Sequence, residues 1–156
     1  MPTDLSADLA PDLEAPPGGR LQLALNVDDL DAAIAFYSKM FGTAPIKVKP
    51  GYANFAIAAP PLKLVLFSGA GEPGTLNHLG IEVDSADAVA AAEARLRADG
   101  LDTTDVEATN CCFAAKTETW LEAPDGQRWE WYVKHDDLGG FASDAADPAS
   151  GSTCCS

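Results

Sequence analysis

The chain is poor in positive charge and in thiols, and both shortages narrow the functions it can have. Its 156 residues carry 10 lysines and arginines against 24 aspartates and glutamates, a formal net charge of −14. This excess of negative charge argues against nucleic acid and anionic membranes as partners. Four cysteines do not make a disulfide framework in a chain of this length, so we expect a protein of the reducing cytoplasm.

Long apolar runs are also missing. No stretch approaches the roughly 20 apolar residues that a membrane-spanning helix needs. The first 17 residues are acidic and have neither a basic start nor an apolar segment, so we do not expect a secretory signal. The length suffices for one domain with a core or for two small repeated modules.

The pattern of apolar residues predicts the same succession of elements twice. A strand is followed by a helix and then by three more strands, and the order begins again after a glycine-rich stretch. Asp28 or Asp29 would cap the first helix and Asp84 or Ser85 the second. The strands are expected at residues 20–27, 45–49, 52–58, 62–67, 76–83, 103–108, 113–122 and 127–133.

These elements predict an α+β fold of two tandem βαβββ modules that form a curved mixed sheet around a metal-binding cavity. We expect the modules at residues 20–68 and 76–138, joined by a linker at 69–75. Residues 1–19 read as a flexible acidic, proline-rich extension and 139–156 as a flexible tail. Two chains could also exchange modules in a homodimer, and the sequence leaves this open.

The repeat brings two polar residues to equivalent positions. Val27-Asp28 matches Val83-Asp84 at an offset of 56 residues, which places Gln22 at the position of His78. Both lie on the polar side of an otherwise apolar first strand. Taken singly, Gln22 could be polar filler and His78 a hydrogen-bonded structural histidine.

Glu130 is a third polar residue in a strand that is expected to be buried. It stands between Trp129 and Trp131, and the equivalent position of the first repeat is apolar. A carboxylate buried there is unfavourable unless it pairs with Arg128 or Lys63 or binds a cation. With Gln22 and His78 it would offer one nitrogen and two oxygen ligands, a set suited to Fe(II), Mn(II), Ni(II) or Zn(II) with open positions.

The cysteines come in adjacent pairs. Cys111 and Cys112 precede a strand, and Cys154 and Cys155 lie near the end of the sequence. Neighbouring thiols bond each other poorly, but they can bind one soft atom together. The alternative for Cys111 and Cys112 is one buried and one incidental thiol. For Cys154 and Cys155 an incidental role is favoured over capture of a soft atom.

The doubled βαβββ pattern, with polar residues in the first and last strands, resembles the vicinal oxygen chelate superfamily of glyoxalases, bleomycin-resistance proteins and dioxygenases. Within it, four stretches are similar to the carbon–arsenic lyase subfamily, whose members are often labelled cadmium-induced. The resemblance covers about residues 20–135, and the four stretches are 50–55, 60–66, 75–80 and 110–113.

The resemblance implies a non-haem Fe(II) enzyme with dioxygen as co-substrate. Such enzymes cleave the C–As bond of trivalent organoarsenicals, methyl or aromatic, and release arsenite as a detoxification. It implies Gln22, His78 and Glu130 as iron ligands and Cys111 and Cys112 as the residues that bind arsenic. The alternatives are a glyoxalase-type or extradiol dioxygenase enzyme, or a non-catalytic protein that binds arsenic, cadmium or a drug.

Overall fold

Eight strands and two helices make up the part of the chain that the computed structural model describes, residues 9–110 and 114–137. The strands form one mixed sheet in the order β2-β3-β4-β1-β5-β8-β7-β6. This curved sheet with its two helices confirms the α+β prediction. The elements are β1 Arg20–Val27, α1 Leu30–Phe41, β2 Lys47–Lys49, β3 Tyr52–Ile57, β4 Leu62–Ser68, β5 Leu76–Glu82, α2 Ala86–Ala98, β6 Glu107–Asn110, β7 Ala114–Glu122 and β8 Arg128–Asp137.

The first strands of the two repeats lie side by side at the centre of the sheet. β1 pairs antiparallel with β5 and parallel with β4. β5 in turn pairs parallel with β8. The neighbouring central strands β1, β5 and β8 therefore come from both repeats, β1 from the first and the other two from the second.

Both helices begin at a side-chain cap among the expected candidates. The side chain of Asp29 accepts a hydrogen bond from Ala32 N at 3.1 Å, and Ser85 Oγ accepts one from Ala88 N at 3.1 Å. These bonds satisfy amide groups that a helix leaves free in its first turn. Gly42 ends α1 with φ 67°, a left-handed conformation that glycine adopts without strain.

The alternation along β1 separates a helix-facing side from a polar side. Leu23 and Leu25 pack with the cluster of Ile34 and other apolar residues beneath α1. Gln22 and Asn26 point to the other face and are nevertheless buried. Because buried polar groups need partners, this second face is where a site is expected.

Two strand predictions were displaced. β6 covers Glu107–Asn110 and not 103–108, because Arg97 holds Thr103 and because Thr104 bonds Trp120 outside the regular ladder. β8 continues to Asp137, so His135 lies inside the strand and not after it. Its Nε2 is 2.7 Å from Thr117 Oγ1, and the residue is exposed.

Residues 9–17, from the stretch expected to be an extension, contact the sheet. Ala10 N donates to Pro45 O at 2.9 Å. Asp12 lies 3.4 Å from the buried Lys63 Nζ and also pairs with Lys134. Burial raises the pKa of Asp12, but the neighbouring charges of Lys63 and Lys134 lower it below its usual value.

Replacing Asp12 by asparagine is expected to lower the free energy of unfolding by about 1 kcal/mol, since its side chain is a third exposed. Because the pKa of Asp12 is lowered by folding, its contribution is present above the ordinary value of 3.8 and disappears as the pH falls through the folded value. Urea titrations of both proteins at pH 7 and pH 3 measure this. A difference that is unchanged at pH 3 would contradict the ion-pair explanation.

No helix in the part of the chain that the structure describes is long and apolar enough to cross a membrane.

Candidate metal centre

Three side chains from three neighbouring strands converge on one point of the polar face. Gln22 Nε2 lies 3.2 Å from His78 Nε2 and 3.1 Å from Glu130 Oε2. His78 Nε2 and Glu130 Oε2 are 3.3 Å apart. All three residues are buried, with 5%, 4% and 1% exposure. The structure thus brings together the three residues that the sequence singled out as metal ligands.

The register of the sheet explains this convergence. Gln22 on β1, Gly80 on β5 and Glu130 on β8 form one row across the three central strands. His78 lies two residues before Gly80 and therefore on the same face. Gly80 has no side chain, so the three others can lean over it.

The repeat also explains why the first repeat contributes one polar side chain to the site and the second repeat two. Ala24 pairs with Val65 on β4, and the equivalent Gly80 pairs with Glu130 on β8. Val65 is therefore the counterpart of Glu130, as the apolar character of that position in the first repeat indicated. Of the four positions related by the repeat, three carry the polar side chains of Gln22, His78 and Glu130, and the fourth carries the apolar Val65.

The spacing of the three atoms fits a divalent metal ion. Nitrogen and oxygen ligands bind such ions at about 2.0–2.2 Å, and two bonds at right angles place their ligand atoms roughly 3 Å apart. The observed edges of 3.1–3.3 Å form a triangle of that size. Its Gln22 corner is the amide nitrogen, which does not bind metal ions, so the fit requires the amide oxygen in that place. No three His, Cys, Asp or Glu side chains gather in such a way among residues 9–110 and 114–137, so the Gln22 amide is needed to complete the set.

Lys116 is the partner of Glu130. Lys116 Nζ forms an ion pair with Glu130 Oε1 and lies 3.1 Å from Glu118 Oε2. Burial raises the pKa of Glu130, but the charge of Lys116 and a hydrogen bond with His78 lower it to about 2. Glu130 is therefore an anion at neutral pH, with Oε1 held by Lys116 and Oε2 turned toward Gln22 and His78.

The two basic residues considered as partners of Glu130 have other contacts. Arg128 lies over the Trp120 ring at 4.5 Å. Lys63 lies near Asp12 and 3.9 Å from Glu82. The sequence offered Arg128 and Lys63 as alternative partners of Glu130, and the ion pair that the structure forms is with Lys116 from the adjacent β7.

A hydrogen-bonded series behind Gln22 determines the orientation of its amide. Tyr132 Oη lies 2.5 Å from Gln22 Oε1 and 2.9 Å from Glu82 Oε2, and Arg20 donates to Glu82 Oε1. Burial and the nearby carboxylates raise the pKa of Tyr132, so the phenol keeps its proton. One proton cannot serve both acceptors. When the amide is turned over, Gln22 Nε2 donates to the Tyr132 hydroxyl. Gln22 Oε1, the amide atom that can bind a metal, then faces His78 and Glu130.

Sequence reasoning missed Arg20, Glu82, Lys116 and Tyr132. Three of them follow the alternation that identified the ligands, since Arg20, Glu82 and Tyr132 each lie two residues from Gln22, Gly80 or Glu130 on the same strand. A search for further polar residues on that face would have found them.

Aromatic rings border the three polar atoms. The Trp120 ring meets the His78 ring edge-on at 5.2 Å, and the Phe67 ring lies 6.3 Å from it. Phe67 also packs against Tyr52 at 5.5 Å. The point of convergence is thus flanked by surfaces that suit an organic group.

Cys111, Cys112, Cys154 and Cys155 all lie outside the described residues. β6 ends at Asn110, β7 begins at Ala114, and Asn110 pairs with Ala115. The first cysteine pair therefore belongs to the connection between these two strands. Lys116, which contacts Glu130, follows two residues after Ala114.

Replacing Gly80 by alanine is expected to weaken metal binding by about 10-fold. An added Cβ would lie 3.1 Å from Gln22 Nε2 and 3.3 Å from Glu130 O. That is tighter than ordinary contacts, so the amide must shift by a few tenths of an ångström from its place beside His78 and Glu130. Titration with Mn(II) measures the dissociation constant, and thermal unfolding without metal shows whether the fold is retained. Equal affinity in a folded variant would contradict this placement of Gln22.

A curved sheet built from two βαβββ repeats, with three polar side chains converging in its hollow, defines a class of paired-module folds. The chain belongs to the Glyoxalase/Bleomycin resistance protein/Dioxygenase superfamily, whose family model matches residues 19–131. The resemblance found in the sequence is thereby confirmed.

Two relatives are similar over nearly the whole chain. It is 52% identical over 137 residues to the "Trivalent organoarsenical cleaving enzyme" of Thermomonospora curvata, covering 87% of each chain. It is 53% identical over 141 residues to the "Cadmium-induced protein CadI" of Mycobacterium bovis, covering 87% of this chain and 92% of the relative. Among solved structures, a Mn(II)-bound glyoxalase from Novosphingobium aromaticivorans has a TM-score of 0.55 at 21% identity, over 74% of this chain and 38% of that one.

Proposed function

We propose that the protein cleaves the C–As bond of trivalent organoarsenicals, methyl or aromatic, and releases arsenite as a cytoplasmic detoxification. In this proposal Gln22, His78 and Glu130 hold Fe(II), and dioxygen is the co-substrate. The observation that carries it is the triangle of ligand atoms with 3.1–3.3 Å edges. The relative from Thermomonospora curvata, named for organoarsenical cleavage, supports the choice of substrate at 52% identity.

The ligand set is complete within one chain. Gln22, His78 and Glu130 come from strands that pair with each other in the same sheet. An exchange of modules between two chains is therefore not needed to build the site, whether or not the protein forms a homodimer.

Each part of the site has a task in this function. The thiolates of Cys111 and Cys112 bind the soft arsenic atom together and hold the substrate in one orientation, which lowers the entropic barrier to reaction. The rings of Phe67 and Trp120 beside His78 receive the organic group. Bound Fe(II) supplies the redox chemistry with dioxygen, which the amino acids themselves lack.

The carboxylate of Glu130 is the charge that favours a cation at this point. Glu130 stays ionised at neutral pH because of Lys116, and Tyr132 stays neutral because of its burial. Lys116 and Tyr132 hold the outward-facing atoms of Glu130 and Gln22, so the remaining atoms are presented to the ion.

Arsenic speciation tests this function. Purified protein loaded with Fe(II) is incubated with methylarsenite in air, beside the His78→Ala variant, and the products are separated by chromatography. Arsenite is expected from the wild type and not from the variant. Unchanged methylarsenite in both, or equal arsenite in both, would contradict the proposal.

Binding without turnover is the second candidate. It is favoured by the similarity to a protein named for its induction by cadmium and by the amide ligand, which binds metals more weakly than the second imidazole of a two-histidine set. In that case the protein would sequester arsenic or cadmium and return it unchanged. A glyoxalase-type or extradiol dioxygenase reaction on the same scaffold would need the metal but not the thiols of Cys111 and Cys112.

A further inference from the structure

A continuous series of hydrogen bonds runs from the segment between the two repeats to the ring of His78. Thr75 Oγ1 donates to Glu72 O at 2.6 Å, and Asn26 Nδ2 lies 2.9 Å from Thr75 Oγ1. Asn77 Nδ2 is 3.0 Å from Asn26 Oδ1, and His78 Nδ1 is 2.8 Å from Asn77 Oδ1. We call the side chains of Thr75, Asn26 and Asn77 the linker relay.

The direction of donation along the linker relay follows from its first member. A backbone carbonyl only accepts, so Thr75 must use its single proton on Glu72 O. The Thr75 oxygen then accepts from the NH₂ group of Asn26, which leaves the Asn26 oxygen to accept from Asn77. The Asn77 oxygen consequently faces His78 as an acceptor, and a neutral imidazole meets it with Nδ1–H.

A competing contact acts on the opposite nitrogen of the ring. Glu130 Oε2 lies 3.3 Å from His78 Nε2 and is ionised. With the Gln22 amide turned over, its oxygen is a second acceptor about as close to that nitrogen, at the position 3.2 Å away. In the absence of the linker relay, these two acceptors would draw the imidazole proton to Nε2 and block the lone pair of that atom. The Asn77 contact is the shortest of the three, at 2.8 Å.

Asn26 is held tightly enough to transmit this constraint. Asn26 N donates to Thr75 O at 2.9 Å, and Gly74 N donates to Asn26 O at 2.9 Å. The side chain is buried, and Gly71 packs directly against its amide: an added Cβ at Gly71 would lie 2.6 Å from Asn26 Nδ2. The segment between the repeats therefore closes over Asn26.

We propose that the linker relay is a positioning device that keeps His78 in the Nδ1–H tautomer, with the Nε2 lone pair directed at the point shared with Gln22 and Glu130. Thr75, Asn26 and Asn77 are its positioning residues, and Gly71 is the position whose missing side chain gives Asn26 room. The consequence for metal binding rests on the proposed function, whereas the tautomer does not.

The tautomer is measured on metal-free protein by long-range ¹H–¹⁵N correlation of the imidazole rings. The chain has two histidines, so the His135→Gln variant assigns the signals of His78. At pH 8.5, where an ordinary imidazole is neutral, we expect a protonated Nδ1 and a bare Nε2 in the wild type. In Asn77→Leu the proton should move to Nε2. A wild-type ring protonated at Nε2, or an Asn77→Leu ring still protonated at Nδ1, would overturn the proposal.

The effect on the metal is measured by calorimetric titration with Mn(II). Asn77→Leu and Gly71→Ala are expected to weaken binding by about 10–100-fold, the range seen when an outer partner of a ligating histidine is lost. Thr75→Val should weaken it less, since Thr75 is exposed to water, and Thr75→Ser should restore it.

Two matched controls separate positioning from general loss of structure. Asn54→Leu removes a buried asparagine amide that bonds Tyr52, and Thr43→Val removes a hydroxyl that bonds Ala44 O. Neither group belongs to the linker relay, so both variants should bind Mn(II) as the wild type does. Equal losses in these controls and in Asn77→Leu would overturn the proposal. If the wild type bound no Mn(II) while its ring stayed protonated at Nδ1, the proposed function would fail and the tautomer assignment would stand.

Discussion

Replacing Glu130 by glutamine is expected to remove metal binding and arsenical cleavage together. Glu130 is the only anion among the three converging side chains, and its Oε2 lies 3.1 Å from Gln22 Nε2 and 3.3 Å from His78 Nε2. The loss of affinity should exceed the roughly 10–100-fold that accompanies loss of an outer partner. Mn(II) titration and arsenite release measure the two effects.

The same substitution should also destabilise the metal-free protein. It removes one of two carboxylates from Lys116, whose side chain is only 12% exposed, at a cost of roughly 3 kcal/mol in the free energy of unfolding. Because folding lowers the pKa of Glu130 to about 2, this contribution is present above the ordinary value of 4.5 and is lost as the pH falls through about 2.

Glu118→Gln is the matched control for Glu130→Gln. It removes the other carboxylate near Lys116, at 3.1 Å, and Glu118 is not one of the three converging residues. Glu118 also hydrogen-bonds the Glu130 carboxyl, so the variant should lower stability and weaken Mn(II) binding by about 10-fold, the loss of an outer partner, and not remove it as Glu130→Gln does. If the two variants lost metal to the same extent, the effect would be due to the disturbed ion pair and Glu130 would not be a ligand.

Replacing both Cys111 and Cys112 by serine is expected to abolish cleavage while metal binding is retained. A hydroxyl binds As(III) far more weakly than a thiolate, so the substrate is no longer held beside the ligand set. The double variant should show Mn(II) affinity equal to that of the wild type and lose about 100-fold or more in kcat/KM, a part of what orientation can supply. Full activity would reject these thiols as the substrate-binding groups and favour a glyoxalase-type or extradiol reaction.

Cys154→Ser with Cys155→Ser is the matched control for the first pair. It removes the same number of thiols from the same chain. We expect at most a reduced rate at limiting methylarsenite and an unchanged rate at saturation. A loss of activity as large as that of the Cys111 and Cys112 variant would contradict the assignment of arsenic binding to Cys111 and Cys112 alone.

The repeat was sufficient to predict which three side chains converge. An offset of 56 residues related Gln22 to His78, and the strand alternation added Glu130. In the sheet these relations became a row of paired residues with Gly80 at its centre. Periodicity and repetition are properties of the sequence itself, so a site that depends only on them can be found there.

The partners of these residues depend on contacts that no periodicity contains. Lys116 reaches Glu130 through the pairing of β7 with β8, which is irregular between Ala115 and Lys116. Asp12 meets Lys134 across 122 positions of the chain. The acceptor for His78 is its neighbour Asn77, but the direction of that bond is set by Thr75 and Asn26, which only the folded chain brings together.

The central claim is that Fe(II) and dioxygen cleave the C–As bond, and one oxygen-dependence measurement tests it most directly. Protein, Fe(II) and methylarsenite are mixed without oxygen, arsenic species are measured, and air is then admitted. The account predicts bound methylarsenite before air and arsenite only after it. Methylarsenite that stays bound and unconverted in air would establish sequestration, and arsenite formed before air would exclude dioxygen as the co-substrate.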